Sequence, residues 1–143
     1  MCFADGEGGP AHRLACAIFG DSLRPQPDQP REGQESVWSY PRPAIAEPSP
    51  ARIVIRHADR TIVDTCSSIR TLETSHPPSY YVPLSDRAAE LLQPAGGGSF
   101  CEWKGTAKYW DVVIDDRRLS RVGWSYPKPT AAFEILRDHV AFY

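Results

Sequence analysis

Two short stretches hold most of the side chains able to do chemistry. Residues 70–83, RTLETSHPPSYYVP, bring an acid (Glu73), an imidazole (His76) and two phenols (Tyr80, Tyr81) into a segment stiffened by three prolines. Residues 100–110, FCEWKGTAKYW, add a cation (Lys104) and flat aromatic walls (Tyr109, Trp110). Neither set is sufficient alone; together they suit proton transfer. An imidazole is the side chain whose ordinary charge change falls near physiological pH. A carboxylate lined by aromatics is pushed up by desolvation and pulled back by a neighbouring lysine, so a Glu73–Lys104 pair is tunable toward neutrality. The plainer account is that Glu73 and Lys104 form a buried strand-to-strand pair and His76 caps a turn. Against it stands the desolvation cost, which offsets much of the attraction in a buried ion pair.

The elements that position these stretches are mostly strands. Each proline fixes its own φ and pushes the preceding residue out of the helical region, so His76, Pro77 and Val82 are expected to be extended. Arg52–Arg56 and Thr61–Thr65 read as a hairpin, and Tyr109–Ile114 with Arg118–Val122 as a second, turning at Asp115-Asp116-Arg117. Two hairpins around the central segment predict two small antiparallel sheets with a cleft between them. Helix is scarce. Ser85 is placed to cap Asp86–Leu92, with Pro94 as the stop, and Thr130 to cap a last helix burying Phe133, Leu136 and Val140. Gly96-Gly97-Gly98 lacks the lysine of a phosphate-cradling loop and reads as a mobile turn, placed to serve as a lid.

One motif recurs. Trp38-Ser39-Tyr40-Pro41-Arg42-Pro43 returns as Trp124-Ser125-Tyr126-Pro127-Lys128-Pro129. Each copy places Trp and Tyr in i,i+2 register on an extended segment and ends it with prolines. The expectation is that Trp38 and Trp124 occupy equivalent strand ends. The aromatics then either plug the core or make Tyr40 and Tyr126 facing walls of one cavity.

Composition bounds the remaining options. With 143 residues, 41% of them apolar, the chain has room for one domain with its own core, over 35–143. Residues 1–34, rich in Gly and Pro, read as an extension in which Leu14, Ile18 and Phe19 are the only candidates for surface docking. A formal net charge of −2, with signs interspersed, offers no footprint for nucleic acid or an anionic membrane. No apolar run approaches the ~20 residues of a membrane span. Cys2, Cys16, Cys66 and Cys101 lie far apart without zinc spacing. Free thiols in a reducing cytoplasm are expected, a Cys66–Cys101 disulfide being the exception, and no metal or other cofactor.

LETSHPPSYYVP, CEWKGTAKYWDV, the two WSYP copies and the closing HVAFY together resemble the family called domain of unknown function 427, some members of which carry a nucleotidyltransferase-type label. The resemblance implies a mainly-β domain similar to the β-tent group, two antiparallel sheets meeting along one edge and opening into a pocket. The paired zinc cysteines of many β-tent proteins are absent here, so no zinc is carried over. The family's polar signature falls on Glu73, His76, Tyr80, Tyr81, Lys104, Tyr109 and Trp110.

Three functions follow as expectations. The first is a cofactor-independent acid–base enzyme on a small, partly aromatic molecule. Glu73, His76 and Lys104 would be catalytic, with Tyr40, Tyr80, Tyr81, Tyr109, Trp110, Trp124 and Tyr126 shaping the pocket. The second is a small-ligand-binding module with the same aromatic cage. The third, nucleotidyl transfer, needs carboxylates to hold magnesium, and only Asp111, Asp115 and Asp116 cluster in sequence. A monomer or homodimer suffices for any of them.

Overall fold

Nine strands form among residues 27–86 and 90–143, which the computed structural model describes. They are β1 (Ile45–Ser49), β2 (Ile53–His57), β3 (Arg60–Thr65), β4 (Ser68–Leu72), β5 (Ser79–Pro83), β6 (Leu92–Cys101), β7 (Gly105–Ile114), β8 (Arg117–Ser125) and β9 (His139–Phe142). The mainly-β expectation holds, and the strands form two antiparallel sheets. Both predicted hairpins are present, turning through left-handed Ala58 and Asp115.

The sheets are unequal. β2 and β3 stand alone as a two-stranded sheet, while the other seven run β1-β4-β5-β9-β8-β7-β6. The second hairpin does not found its own sheet, because β9 inserts between β5 and β8 and ties the hairpin to the central strands. Period-2 alternation then covers both faces of the large sheet. Tyr81 and Ala141 face a core with Phe133 and Leu136; their neighbours Val82 and Val140 face another with Ile62 and Val63 of the small hairpin.

Several local expectations are corrected. No α-helix forms among the described residues. Residues 131–136 make a 3-10 segment broken at Phe133 (φ −119°, ψ 18°), and Val140 lies in β9. Thr130 makes no cap there, since its hydroxyl donates to Trp103 O instead. The helix expected over Asp86–Leu92 is also absent in its described parts: Leu84–Asp86 is a single 3-10 turn and Leu92 already belongs to β6; residues 87–89 lie outside the described residues. Pro94 and the glycine run belong to β6 rather than to a helix stop and a lid. β6 is an edge strand, where a proline costs no ladder bond. Gly97 (φ +87°) lies in the irregularity between Pro94 and Gly98, a backbone shape suited to glycine. The expected docking of Leu14, Ile18 and Phe19, along with Cys2 and Cys16, lies outside the described residues, whereas Cys66 and Cys101 are free thiols.

The two WSYP copies are not equivalent. Trp38 sits in a 3-10 turn (Val37–Ser39) and is 45% exposed, whereas Trp124 lies in β8 and packs on the core. Equal sequence does not give equal strands here, because only the second copy has neighbours on both sides to pair with.

Candidate functional site

The acid and the imidazole sit on one tight turn between β4 and β5. His76 N–H donates to Glu73 O at 3.1 Å, with Ser75 left-handed at φ +69°. The first WSYP copy grips this turn through its backbone. Tyr40 O accepts the Thr74 hydroxyl at 2.6 Å, Pro41 O accepts Thr74 N–H at 3.4 Å, and Val37 O accepts Ser75 N–H at 3.0 Å. His76 Nδ1 lies 3.2 Å from Thr74 O. A carbonyl only accepts, so this contact places the ring proton on Nδ1 and leaves Nε2 as the basic nitrogen.

Lys104 occupies the turn between β6 and β7, and the tail of the second WSYP copy grips that turn in the same manner. Thr130 N–H donates to Lys104 O at 3.2 Å, the Thr130 hydroxyl donates to Trp103 O, and Gly105 bridges Pro129. Gly105 has φ +99°, and a Cβ there would lie 3.2 Å from Lys128 O. Glycine is therefore required for this close approach. Lys104 Nζ stands 5.9 Å from the centre of the Phe133 ring, within cation–π range.

The two turns meet. Glu73, His76 and Lys104 line one open depression of about 640 Å³ with Thr71, Trp124 and Tyr143. Glu73 and Lys104 make no ion pair, with each other or with any other described residue, and neither is buried. The buried strand-to-strand pair is thus not what the fold builds. His76 does close a turn, as the plainer account expected, while its ring still borders the depression.

Trp124 is held from behind. Its indole N–H donates to Tyr81 OH at 3.1 Å, the rings meet edge-on at 6.1 Å, and Tyr143 packs on it at 4.5 Å. Tyr81 is buried, and burial is the main cause pushing its phenol up to about 12. Tyr81 is a stay for Trp124 rather than a wall of the depression.

The remaining aromatics are distributed elsewhere. Tyr109, Trp110 and Tyr126 line a separate cavity of about 240 Å³ with Lys108 and Asp138. Tyr126 is buried against Tyr81, and Arg121 stacks over Tyr109 at 4.6 Å. Tyr80 points into a third depression, beside Val54 and Phe142. Tyr40 donates its phenol to Glu35 at 2.8 Å, and Glu35 pairs with Arg70. Tyr40 and Tyr126 are therefore not facing walls of one cavity.

The carboxylates proposed for magnesium do not gather. Asp111 is buried, its oxygens taken by Arg118 (2.9 Å) and the Arg121 N–H (2.8 Å), while Asp115 and Asp116 lie in the exposed β7–β8 turn. Among the described residues, no three His, Cys, Asp or Glu side chains are grouped to hold a metal.

Thr71, Ser79 and Tyr143 line the depression without having been singled out in the sequence. A signal existed for each of them. Thr71 and Ser79 are cross-strand partners, two residues from Ile69 and Tyr81, so counting outward from a buried Tyr81 by twos finds both. Tyr143 follows in the same way from Ala141.

No curated protein matches the chain. The family model described as Domain of unknown function (DUF427) matches residues 45–143, from the first residue of β1 onward and so covering both site-bearing turns and the second WSYP copy. By that match over most of its length, the chain belongs to the domain of unknown function 427 family.

Proposed function

We propose that this protein is a cofactor-independent enzyme that moves a proton on a small molecule held in the 640 Å³ depression. The observation that carries this reading is the convergence of Glu73, His76 and Lys104, from two distant turns each clamped by its own segment, on a surface backed by Trp124. His76 Nε2 removes a proton from carbon next to a carbonyl, and Lys104 stabilises the oxyanion that forms. Glu73, protonated from water, hands a proton back to the substrate as His76 releases its own to water, and Trp124 and Tyr143 hold the flat part of the substrate. The free thiols of Cys66 and Cys101 support a place in the reducing cytoplasm. No helix among the described residues is long and apolar enough to cross a membrane.

The second reading, a binding module without turnover, is favoured by one observation: His76 is exposed, and the open depression does little to exclude water from it. Nucleotidyl transfer receives no support from the scattered Asp111, Asp115 and Asp116.

The test is solvent deuterium incorporation into a panel of small carbonyl compounds, followed by NMR, for wild type, Glu73→Gln, His76→Gln and Lys104→Met. The enzyme reading expects exchange that each variant loses while keeping stability within about 0.5 kcal/mol, since none of these groups is buried or ion-paired. Binding that weakens in the variants without exchange in any assay establishes the module instead. Strong destabilisation of both Glu73→Gln and Lys104→Met, relieved in the double variant, sinks both readings and restores the structural pair.

A further inference from the structure

Pro78, Ser79 and Tyr143 of this depression also line another of about 450 Å³, so the two share a rim at these residues. One wall of the second depression is Ile53, Val54, Ile55 and Arg56, four consecutive residues of β2. Side chains alternate across a strand, so four in a row line a groove where the strand presents its edge. β2 pairs only with β3, and among the described residues no other backbone hydrogen bond reaches it. Among the described residues the second depression is thus walled by an unpaired row of N–H and C=O groups, which soluble proteins otherwise cover or guard with charge.

We propose, building on the reading above, that the molecule handled here is a short extended peptide bearing an acidic residue, which adds a strand to β2 and delivers one end to Glu73, His76 and Lys104. A chain with its own alternating N–H and C=O groups satisfies the β2 edge, which a simple aromatic or aliphatic acid does not. Opposite the edge stand Tyr80, Phe142 and Tyr143, apolar seats for every second side chain. The acidic preference comes from Arg56. Its Nε donates to Thr61 Oγ1 at 3.2 Å, and no Asp or Glu side chain lines the second depression. Asp64, the nearby acid of the hairpin, is held by Arg52 through two bonds of 2.8 and 2.7 Å.

The experiment uses the full chain, labelled with 15N, and three pools of N-acetylated pentapeptides: glutamate fixed at the centre, lysine fixed at the centre, and the glutamate pool with N-methylated backbones. The glutamate pool is expected to shift amides 53–56 and 79–80 together with 73–76. The lysine pool should bind about tenfold more weakly, the methylated pool should leave 53–56 unmoved, and Arg56→Glu should reverse the preference between the first two. Shifts confined to 73–76 and 104 with every pool overturn the peptide proposal while leaving a small-molecule site intact. Equal binding of the methylated pool, or no shift at 53–56 with any pool, also overturns it.

Discussion

The Tyr81 hydroxyl accepts the indole N–H of Trp124 while lying almost wholly out of water, and that one contact fixes the aromatic backing of the depression. Replacing Tyr81 by Phe keeps the ring and leaves the indole donor without its partner. The expected loss is about 1–3 kcal/mol of stability, measured by denaturant melts, with weaker ligand retention at Trp124. The same scale shows what residue type conveys and what it leaves open. Glu73, His76 and Lys104 are identifiable as acid, base and cation from the sequence alone, and they do share one depression. Whether Glu73 and Lys104 pair was not legible, because pairing depends on ångström distances between two turns that the chain separates by some thirty residues.

Each of those turns is held by a segment from outside its own hairpin, and this gives the repeated WSYP motif its structural sense. The copies are unlike as strands yet alike in task. One clamps the Glu73–His76 turn through Val37, Tyr40 and Pro41, and the other clamps the Lys104 turn through Pro129 and Thr130. Thr74→Val removes the bond to Tyr40 O at nearly constant volume. It should cost about 1 kcal/mol in a thermal melt and reduce deuterium exchange more than its effect on stability accounts for. Gly105→Ala puts a Cβ at φ +99° against Lys128 O, and a loss of more than about 1 kcal/mol is expected from a denaturant titration. An unchanged midpoint for Gly105→Ala would show that the Lys104 turn is looser than its contacts indicate.

Across the whole molecule, the ionisable groups set a pH window for the fold. Tyr81 has its phenol raised to about 12, chiefly by burial, and Tyr126 is raised in the same direction for the same reason. The folded state therefore favours the neutral phenol. This stability is fully present below the unfolded value of about 10 and is lost as pH rises toward 12, about 2–3 kcal/mol for Tyr81 alone. Melts across that range should fall in step with the ultraviolet signal of tyrosinate. At the acid end, Glu35 is lowered by the Tyr40 phenol and then Arg70, Asp64 by Arg52, and Asp86 by the Thr65 hydroxyl and then Ser85. Their contribution stands above the unfolded carboxylate range and fades as pH falls through each lowered value. Added salt should shrink the shares of this acid-side effect that come from Arg52 and Arg70, while those from the Tyr40, Thr65 and Ser85 hydroxyls, and the alkaline loss that arises from burial, stay nearly unchanged.

Period-2 patterning and turn residues were enough to read the mainly-β class, both hairpins and the two stretches that carry the chemistry, because strand alternation and left-handed turns are local demands on residue type. Where the sequence misled, the deciding partner was distant. Residues 131–140 carry helical spacing but split into a 3-10 segment and β9, since β5 and β8 provide ladders on both sides of 139–142. The glycine run became an edge strand through pairing with β7. The division of the tyrosines and tryptophans among three depressions follows from where each strand sits in the seven-stranded sheet. Strand order and insertion of β9 set that outcome, and both are long-range pairings that no local stretch encodes.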